Sequence, residues 1–569
     1  MPDLNVLSMR RLAGLIAVAA SLCHGSPVSV VLGPTVKPGA RGAVASEASE
    51  CSHIGRDLLS QGGNAADAVV GTTFCVGIVA PYHSGIGGGG FALVRDADGR
   101  YEAVDFRETA PAAAYQDMYR GNVAGSLTGG LAVAVPGEVR GLEHIHRKYG
   151  SLPWETVLKG AIDVARDGFR ISSDLAARMT SAKQPFLLKD PSFALDFAPN
   201  GTLLREGDIM TRKRYADTLE RIAREGSAAF YRGELAEAMA RLVQASNGTM
   251  TVDDLDRYTV VSRPVQRLRY RGLDLFSVGA PASGAVGLGI LKVAEQFAPV
   301  EADAGVEAHR FVEAMRFGYG ARARLADPDF VPGVDALEGR LLNEEYARQV
   351  GKRIDDRHTL PVADYDPTVN EYVPNSHGTS HVVTADASGM AVSLTTTINL
   401  IFGAQLMEPL SGIVLNNEMN DFSIPGIPND FGFPPSVANY IAPGKRPLSS
   451  ITPVIAAHPN GSILAVVGAA GGSRIISATA SALWHLVDHG DSMADALRRP
   501  RMHDQLMPNV LLLEYAFDNR TAAALAAKGH DISRVGEGLS AVQAIRRRAD
   551  GSFEAAAEPR QRNSRGFVV

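Results

Sequence analysis

The reading of this chain turns on Asn375-Ser-His-Gly-Thr379-Ser-His-Val-Val383, where a polar stretch gives way to a run of β-formers. Residues 355–376, with Pro361, Pro367 and Pro374, read as an extended exposed loop. Residues 380–384 read as the start of a strand. A threonine hydroxyl at such a junction is a poor nucleophile unless a base stands beside it. One solution is to make the threonine an N-terminus, whose α-amine, with a pKa near ~8, is the base. Inside a chain that nitrogen is an amide, so cleavage between Gly378 and Thr379 would create the catalyst. Gly378 suits such a cut, because it is unhindered and tolerates a strained backbone. Read alone, Gly-Thr before a strand is ordinary strand initiation.

Downstream, short β runs are expected at 380–384, 390–397, 463–467 and 541–546, with a helix from about 473 to 488. Upstream, from 44 to about 330, helical runs mix with short strands. Helices are expected at 235–245 and 308–323, and strands at 89–94 and 102–106 around a turn at 96–99. Strand-rich layers flanked by helices suggest a sandwich of sheets covered by helices. There is no internal repeat. Gly85-Ile-Gly-Gly-Gly-Gly90 formally matches a dinucleotide fingerprint, and Asp105 lies at a suitable distance for a ribose. The segment that follows is a strand rather than a helix, so these glycines are read as permitting close backbone packing. His377 and His381 stand four apart without an H-E-x-x-H pattern, and no metal site is expected. No G-x-S-x-G elbow occurs.

The 569 residues carry a formal net charge of −6, with 21% charged and 45% hydrophobic residues, which excludes wholesale disorder and supports a large core. No basic stripe suggests nucleic-acid binding; Arg546-Arg547-Arg548 precedes the turn Asp550-Gly551 and reads as a solvated strand end. With only 3 Cys, a disulfide scaffold is excluded. Arg10-Arg11 and the twelve-residue apolar run Leu12–Cys23 read as a secretory signal over 1–25. The run is too short for a bilayer, which needs ~20 helical residues, so a cleaved signal is preferred to a signal-anchor. Sequons at Asn200, Asn247, Asn460 and Asn519 suit a secretory route. Between Cys51 and Cys75, Gln61-Gly62-Gly63-Asn64 breaks two amphipathic runs, 54–60 and 65–79. An antiparallel helix hairpin would set the two cysteines side by side, and closing that loop contributes roughly 3 kcal/mol in the chain-entropy model.

Further motifs follow in order: Thr397-Ile-Asn399, Asn416-Asn-Glu418-Met-Asn-Asp421, Gly444-Lys-Arg-Pro-Leu-Ser449-Ser450 and Gly468-Ala-Ala-Gly471-Gly472. Ala45-Ser-Glu-Ala-Ser-Glu-Cys51, Asp105-Phe-Arg107-Glu-Thr-Ala-Pro111 and Val135-Pro-Gly-Glu138 precede them. On these residues the chain resembles the γ-glutamyltranspeptidase (glutathione hydrolase) family of N-terminal-nucleophile hydrolases, from about Val44 to the C-terminus. The resemblance implies an α+β fold, a four-layer αββα sandwich formed by two subunits cut from one autoprocessed precursor. The large subunit would span 26–378 and the small catalytic subunit 379–569, as a heterodimer.

The resemblance also implies roles. Thr379 would be the nucleophile, and Thr397 a second hydroxyl that supports it and promotes processing. A γ-glutamyl group carries an α-carboxylate and an α-ammonium. Arg107, with its planar fork, and the hydroxyls of Ser449 and Ser450 would hold the first. Glu418, Asp421 and Asn399 would hold the second. Gly471 and Gly472 would offer two backbone N–H groups to an oxyanion, worth roughly 3–4 kcal/mol per donor. Phe431 aligns with a lid aromatic. Without the resemblance, Thr397 reads as a β-branched strand residue, Glu418 and Asp421 as a surface acidic pair and Arg107 as a structural ion pair. The expected activity is hydrolysis of glutathione and other γ-glutamyl compounds, or transfer to amino-acid or dipeptide acceptors, with no cofactor. A related acylase for other amides and a non-catalytic binding homologue are the alternatives. The wording departs from the family at Glu558-Pro-Arg560 and Gly566-Phe567, leaving the packing of the C-terminus open.

Overall fold

Period-two alternation of apolar residues organises the molecule around two seven-stranded antiparallel sheets. In this computed structural model the described residues are 35–37, 40–180, 184–298, 303–365, 378–427 and 435–569. The expected signal segment, residues 366–376 of the expected loop, His377 and Phe431 lie outside them.

The first half of the chain contributes β1 (Thr35–Lys37), β2 (Gly42–Ser46), β3 (Gly89–Arg95), β4 (Tyr101–Phe106), β5 (Val261–Arg263), β6 (Val265–Tyr270) and β7 (Leu273–Val278). The second half contributes β8 (Gly378–Asp386), β9 (Ala391–Asn399), β10 (Val454–Ala457), β11 (Ile463–Ala470), β12 (Ala541–Arg547), β13 (Phe553–Ala556) and β14 (Arg565–Val568). One sheet has the order β14-β2-β8-β9-β3-β4-β5, the other β1-β13-β12-β11-β10-β7-β6.

Alternate residues of the first sheet serve two cores. Val383 and Ala385 of β8 and Phe91 and Leu93 of β3 pack inward with Val454, Ala465 and Val467 of the facing sheet. Val382, Val392, Leu394 and Ile398 point the other way, onto α1 (Ser49–Ser60) and α2 (Ala65–Val79). A one-residue slip would exchange the two sets. Helices α3 (Gly284–Ala294), α4 (Ala304–Arg322) and α5 (Arg474–Asp488) cover the outer face of the second sheet with Val286, Phe311, Ile476 and Leu483. The layers run helix, sheet, sheet, helix, as expected.

Asn64 starts α2 with a capping box: its side chain accepts from the Asp67 N–H while Asp67 accepts from the Asn64 N–H. The hairpin brings Cys51 and Cys75 into a disulfide with Cα atoms 5.2 Å apart. One expectation is corrected here. α2 is not amphipathic; all its residues are buried, because the sheet covers one side and the helix Trp154–Asp167 another. The glycine-rich run leads into β3, and a Cβ on Gly88 or Gly90 would come 2.0 Å from the carbonyl oxygen of Thr397 or Thr395. Close backbone approach is therefore the reason for those glycines. At the C-terminus, Arg501, Glu514, Glu558 and Arg560 form a buried ion network, and Phe567 stacks on His53 with ring centres 4.3 Å apart. All four sequon asparagines are exposed. Among the described residues no helix is long and apolar enough to cross a membrane.

Candidate active site

β8 begins at Gly378, and a bulge separates the pairs Gly378–Asn399 and Thr379–Thr397 on β9. Across that bulge the Thr397 hydroxyl donates to the Gly378 carbonyl oxygen at 2.6 Å, while the Asn399 N–H donates to Thr397 Oγ1 at 2.8 Å. The bond before Thr379 thus has a polarised carbonyl, and the polarising hydroxyl is itself held. Thr379 is buried. A Cβ on Gly378 would lie 1.7 Å from the Asn399 carbonyl oxygen, so no other residue fits. Asn399 has φ +69°, a left-handed conformation that asparagine tolerates better than most residues. Its Nδ2 donates to Asn417 O at 3.0 Å, tying β9 to the segment that carries Glu418.

The facing sheet delivers Gly471 and Gly472. Ser393 of β9 donates from Oγ to Val467 O at 3.1 Å, and Gly468 lies against the His381 ring. From Ser393 to His381 the contact moves along β8 and β9 toward Thr379, so β11 runs on toward the same end. Gly471 and Gly472, with φ +132° and +62°, then turn the chain into α5. No backbone carbonyl among the described residues accepts from either N–H.

The charged groups come from loops. Arg107 follows β4; Glu418 and Asp421 sit on the single 3-10 turn Glu418–Asp421. Arg107 pairs with both carboxylates at once, and its fork leans toward Pro447 O and Leu448 O, each at 3.4 Å, beside Ser449-Ser450. The Arg107 N–H donates to Asp105 Oδ1 at 2.9 Å, and Tyr258 OH donates to Arg107 O at 2.8 Å. The groups expected as two opposite clamps are therefore engaged with each other.

Sequence reasoning missed Glu108. Its fully buried carboxyl lies 3.9 Å from Arg107 Nη1 and within hydrogen-bond reach of Glu418. Apart from the N–H of Glu108 itself, neither Glu108 oxygen nor Glu418 Oε2 meets a donor other than the facing carboxyl among the described residues. A proton shared between the two carboxyls would pair one Glu108 oxygen with Glu418 Oε2. Burial pushes Glu108 up to about 7 and raises Glu418 as well, against the opposing pull of Arg107. Its position next to Arg107 in the Asp105–Pro111 motif was the available signal.

His309, Glu313 and His530 also converge in the core. Their contacts fasten residues 355–365: Glu313 accepts from Thr359 Oγ1 and Tyr365 OH at 2.6 Å, and His309 Nε2 is 2.9 Å from Asp355 O.

Comparison with known proteins fits this geometry. Residues 51–568 match the family model described as Gamma-glutamyltranspeptidase. A glutathione hydrolase proenzyme of Arthroderma benhamiae is 50% identical over 93% of this chain and 93% of its own. A glutathione hydrolase of Aspergillus flavus is 44% identical over 100% of this chain and 96% of its own. Among solved structures, a cephalosporin acylase from Bacillus halodurans superposes with a TM-score of 0.82 at 25% identity, covering 97% of this chain and 99% of that one.

Proposed function

Because the chain belongs to the γ-glutamyltranspeptidase family, we propose that it is a glutathione hydrolase and γ-glutamyltransferase that matures by cutting itself before Thr379. The observation that carries this reading is the Thr397 hydroxyl on the Gly378 carbonyl, across the pair from Thr379. In maturation, Thr379 Oγ1 adds to that carbonyl, the Gly378–Thr379 C–N bond breaks, and the proton passes to the departing nitrogen. The resulting ester is hydrolysed, leaving a free Thr379 amine and a Gly378 carboxylate.

In turnover that amine takes the Thr379 hydroxyl proton as the oxygen attacks the γ-carbonyl. Gly471 and Gly472 N–H groups meet the oxyanion. The α-amine returns the proton to the leaving amine, and a γ-glutamyl ester on Thr379 remains. Water or an acceptor amine then attacks that ester, giving hydrolysis or transfer. Donor recognition exchanges internal ion pairs for external ones. The substrate carboxylate takes Arg107 with Ser449 and Ser450, and the substrate ammonium takes Glu418 and Asp421, with Asn399. The paired arginine and carboxylates suit a zwitterionic donor and argue against a related acylase for other amides.

The reading extends to a large subunit, 26–378, and a small one, 379–569, from a secretory precursor whose signal is removed and whose exposed sequons accept glycans. Denaturing electrophoresis with N-terminal sequencing, then γ-glutamyl-anilide release with and without Gly-Gly, tests it. Expected are two chains, the smaller beginning at Thr379, and γ-glutamyl-Gly-Gly among the products. A different new N-terminus, or anilide left intact, overturns it.

A further inference from the structure

His381 is left unused by this chemistry, yet its ring sits between the two sheets in close contact with Gly468 of the facing one. It lies on β8 two residues beyond Thr379, so its ring projects from the same face into the space between the sheets. It is 1% exposed. Nδ1 is 2.8 Å from Thr395 Oγ1 and Nε2 is 3.1 Å from Ser393 Oγ.

The tautomer follows from the partners. Ser393 Oγ spends its hydrogen on Val467 O, so toward the imidazole it accepts, and Nε2 carries the proton. Nδ1 is then an acceptor, filled by the Thr395 hydroxyl. The result is a directed chain: Thr395 O–H to Nδ1, Nε2–H to Ser393 Oγ, Ser393 O–H to the carbonyl of Val467. Deep burial holds the imidazole neutral, lowering its pKa to about 3, so the chain persists at any working pH.

On the far side the ring meets Gly468, where a Cβ would stand 2.2 Å from the imidazole. β11 therefore rests directly on the ring, and three residues later it delivers Gly471 and Gly472. We propose that His381 is a positioning residue that sets the spacing between the nucleophile strands and the strand carrying the oxyanion amides. The proposal rests on the roles given above to Thr379, Gly471 and Gly472.

A split outcome distinguishes this from a merely structural role. The Gly378 carbonyl is polarised within its own sheet, by Thr397. Turnover instead needs the amides of the opposite sheet. His381→Phe keeps a planar ring and removes both bonds. It is expected to process within about threefold of wild type, with donor KM within about threefold and kcat down about 10–100-fold, as for an approximately 1 Å misplacement. Ser393→Ala keeps the ring and its Thr395 bond, and removes both the acceptor of Nε2–H and the link to Val467; kcat should fall about 3–10-fold at unchanged KM.

Normal kcat in processed His381→Phe overturns the proposal. So does a parallel loss of processing, kcat and Tm, which marks a general packing role. Should His381→Phe not fold, Ser393→Ala decides, and an unchanged kcat there rejects the relay. A wild-type protein that does not cut before Thr379 fails the parent reading instead, whatever His381 does.

Discussion

The two halves of the candidate site are built by opposite means. At the Thr379 end everything is neutral and held by the ladder: a bulge, a glycine with no room for a side chain, and a hydroxyl fixed between a backbone N–H and a carbonyl. At the Arg107 end one guanidinium is shared among Glu418, Asp421 and Glu108, brought together from segments more than 300 residues apart. A ladder fixes distance and has little freedom to adapt. An ion cluster stores exchangeable partners, so an arriving zwitterion can replace internal pairs without leaving a buried charge alone. On the proposed roles, the reacting atoms call for the first arrangement and the donor for the second.

Replacing Thr379 with alanine should strike hardest, leaving one uncut band on a denaturing gel and no measurable turnover. Any normal cut in that variant breaks the claim that this end houses the nucleophile. Gly378→Ala comes next. Its Cβ would overlap the Asn399 carbonyl at 1.7 Å, so processing should slow by more than about 100-fold in a mass-resolved time course. Wild-type maturation there means the ladder end is softer than described.

Asp421→Ala tests the charged end. Losing one partner of a buried pair costs ~3–5 kcal/mol, and the partial exposure of Asp421 places it toward the low end. A fall of about 100-fold in kcat/KM for γ-glutamyl donors is expected, with processing normal. Equal damage to both activities would erase the division between the ends. Glu108→Gln should give the smallest change. The Glu108 carboxyl, raised to about 7 by burial, is protonated below that pH and resembles glutamine. Above it the wild type ionises and the variant cannot. Their donor KM profiles should coincide at pH 6 and separate by a few-fold by pH 8; curves that differ at pH 6 reject the shared proton.

Legibility in the sequence divided along the same line. Alternation placed a strand at 380–384, inside the observed Gly378–Asp386, and one at 390–397, a residue ahead of the observed Ala391–Asn399, and local periodicity placed the helices Gly233–Ala245 and Ala304–Arg322 closely. These elements carry their own pattern. The burial of α2 on all sides was misread because short stretches such as Ala65–Val79 look alike whether one face or all faces are covered. The roles of Arg107, Glu418 and Asp421 came only from family resemblance, since nothing local distinguishes a donor clamp from a surface ion pair. Glu108 showed in the sequence only as the neighbour of Arg107, and His381 only as half of a rejected metal pair with His377, because each matters through contacts that only the folded chain supplies.

In one sheet, strands from before and after residue 378 interleave: β14 beside β2, β2 beside β8, and β9 beside β3. In the other, β1 and β7 flank a block of later strands. A cut before Thr379 would leave neither product a whole sheet, and each would complete the ladders of the other. The cut would therefore be hydrodynamically silent: elution volume and sedimentation would stay those of one particle, and the halves could be parted only by denaturing both.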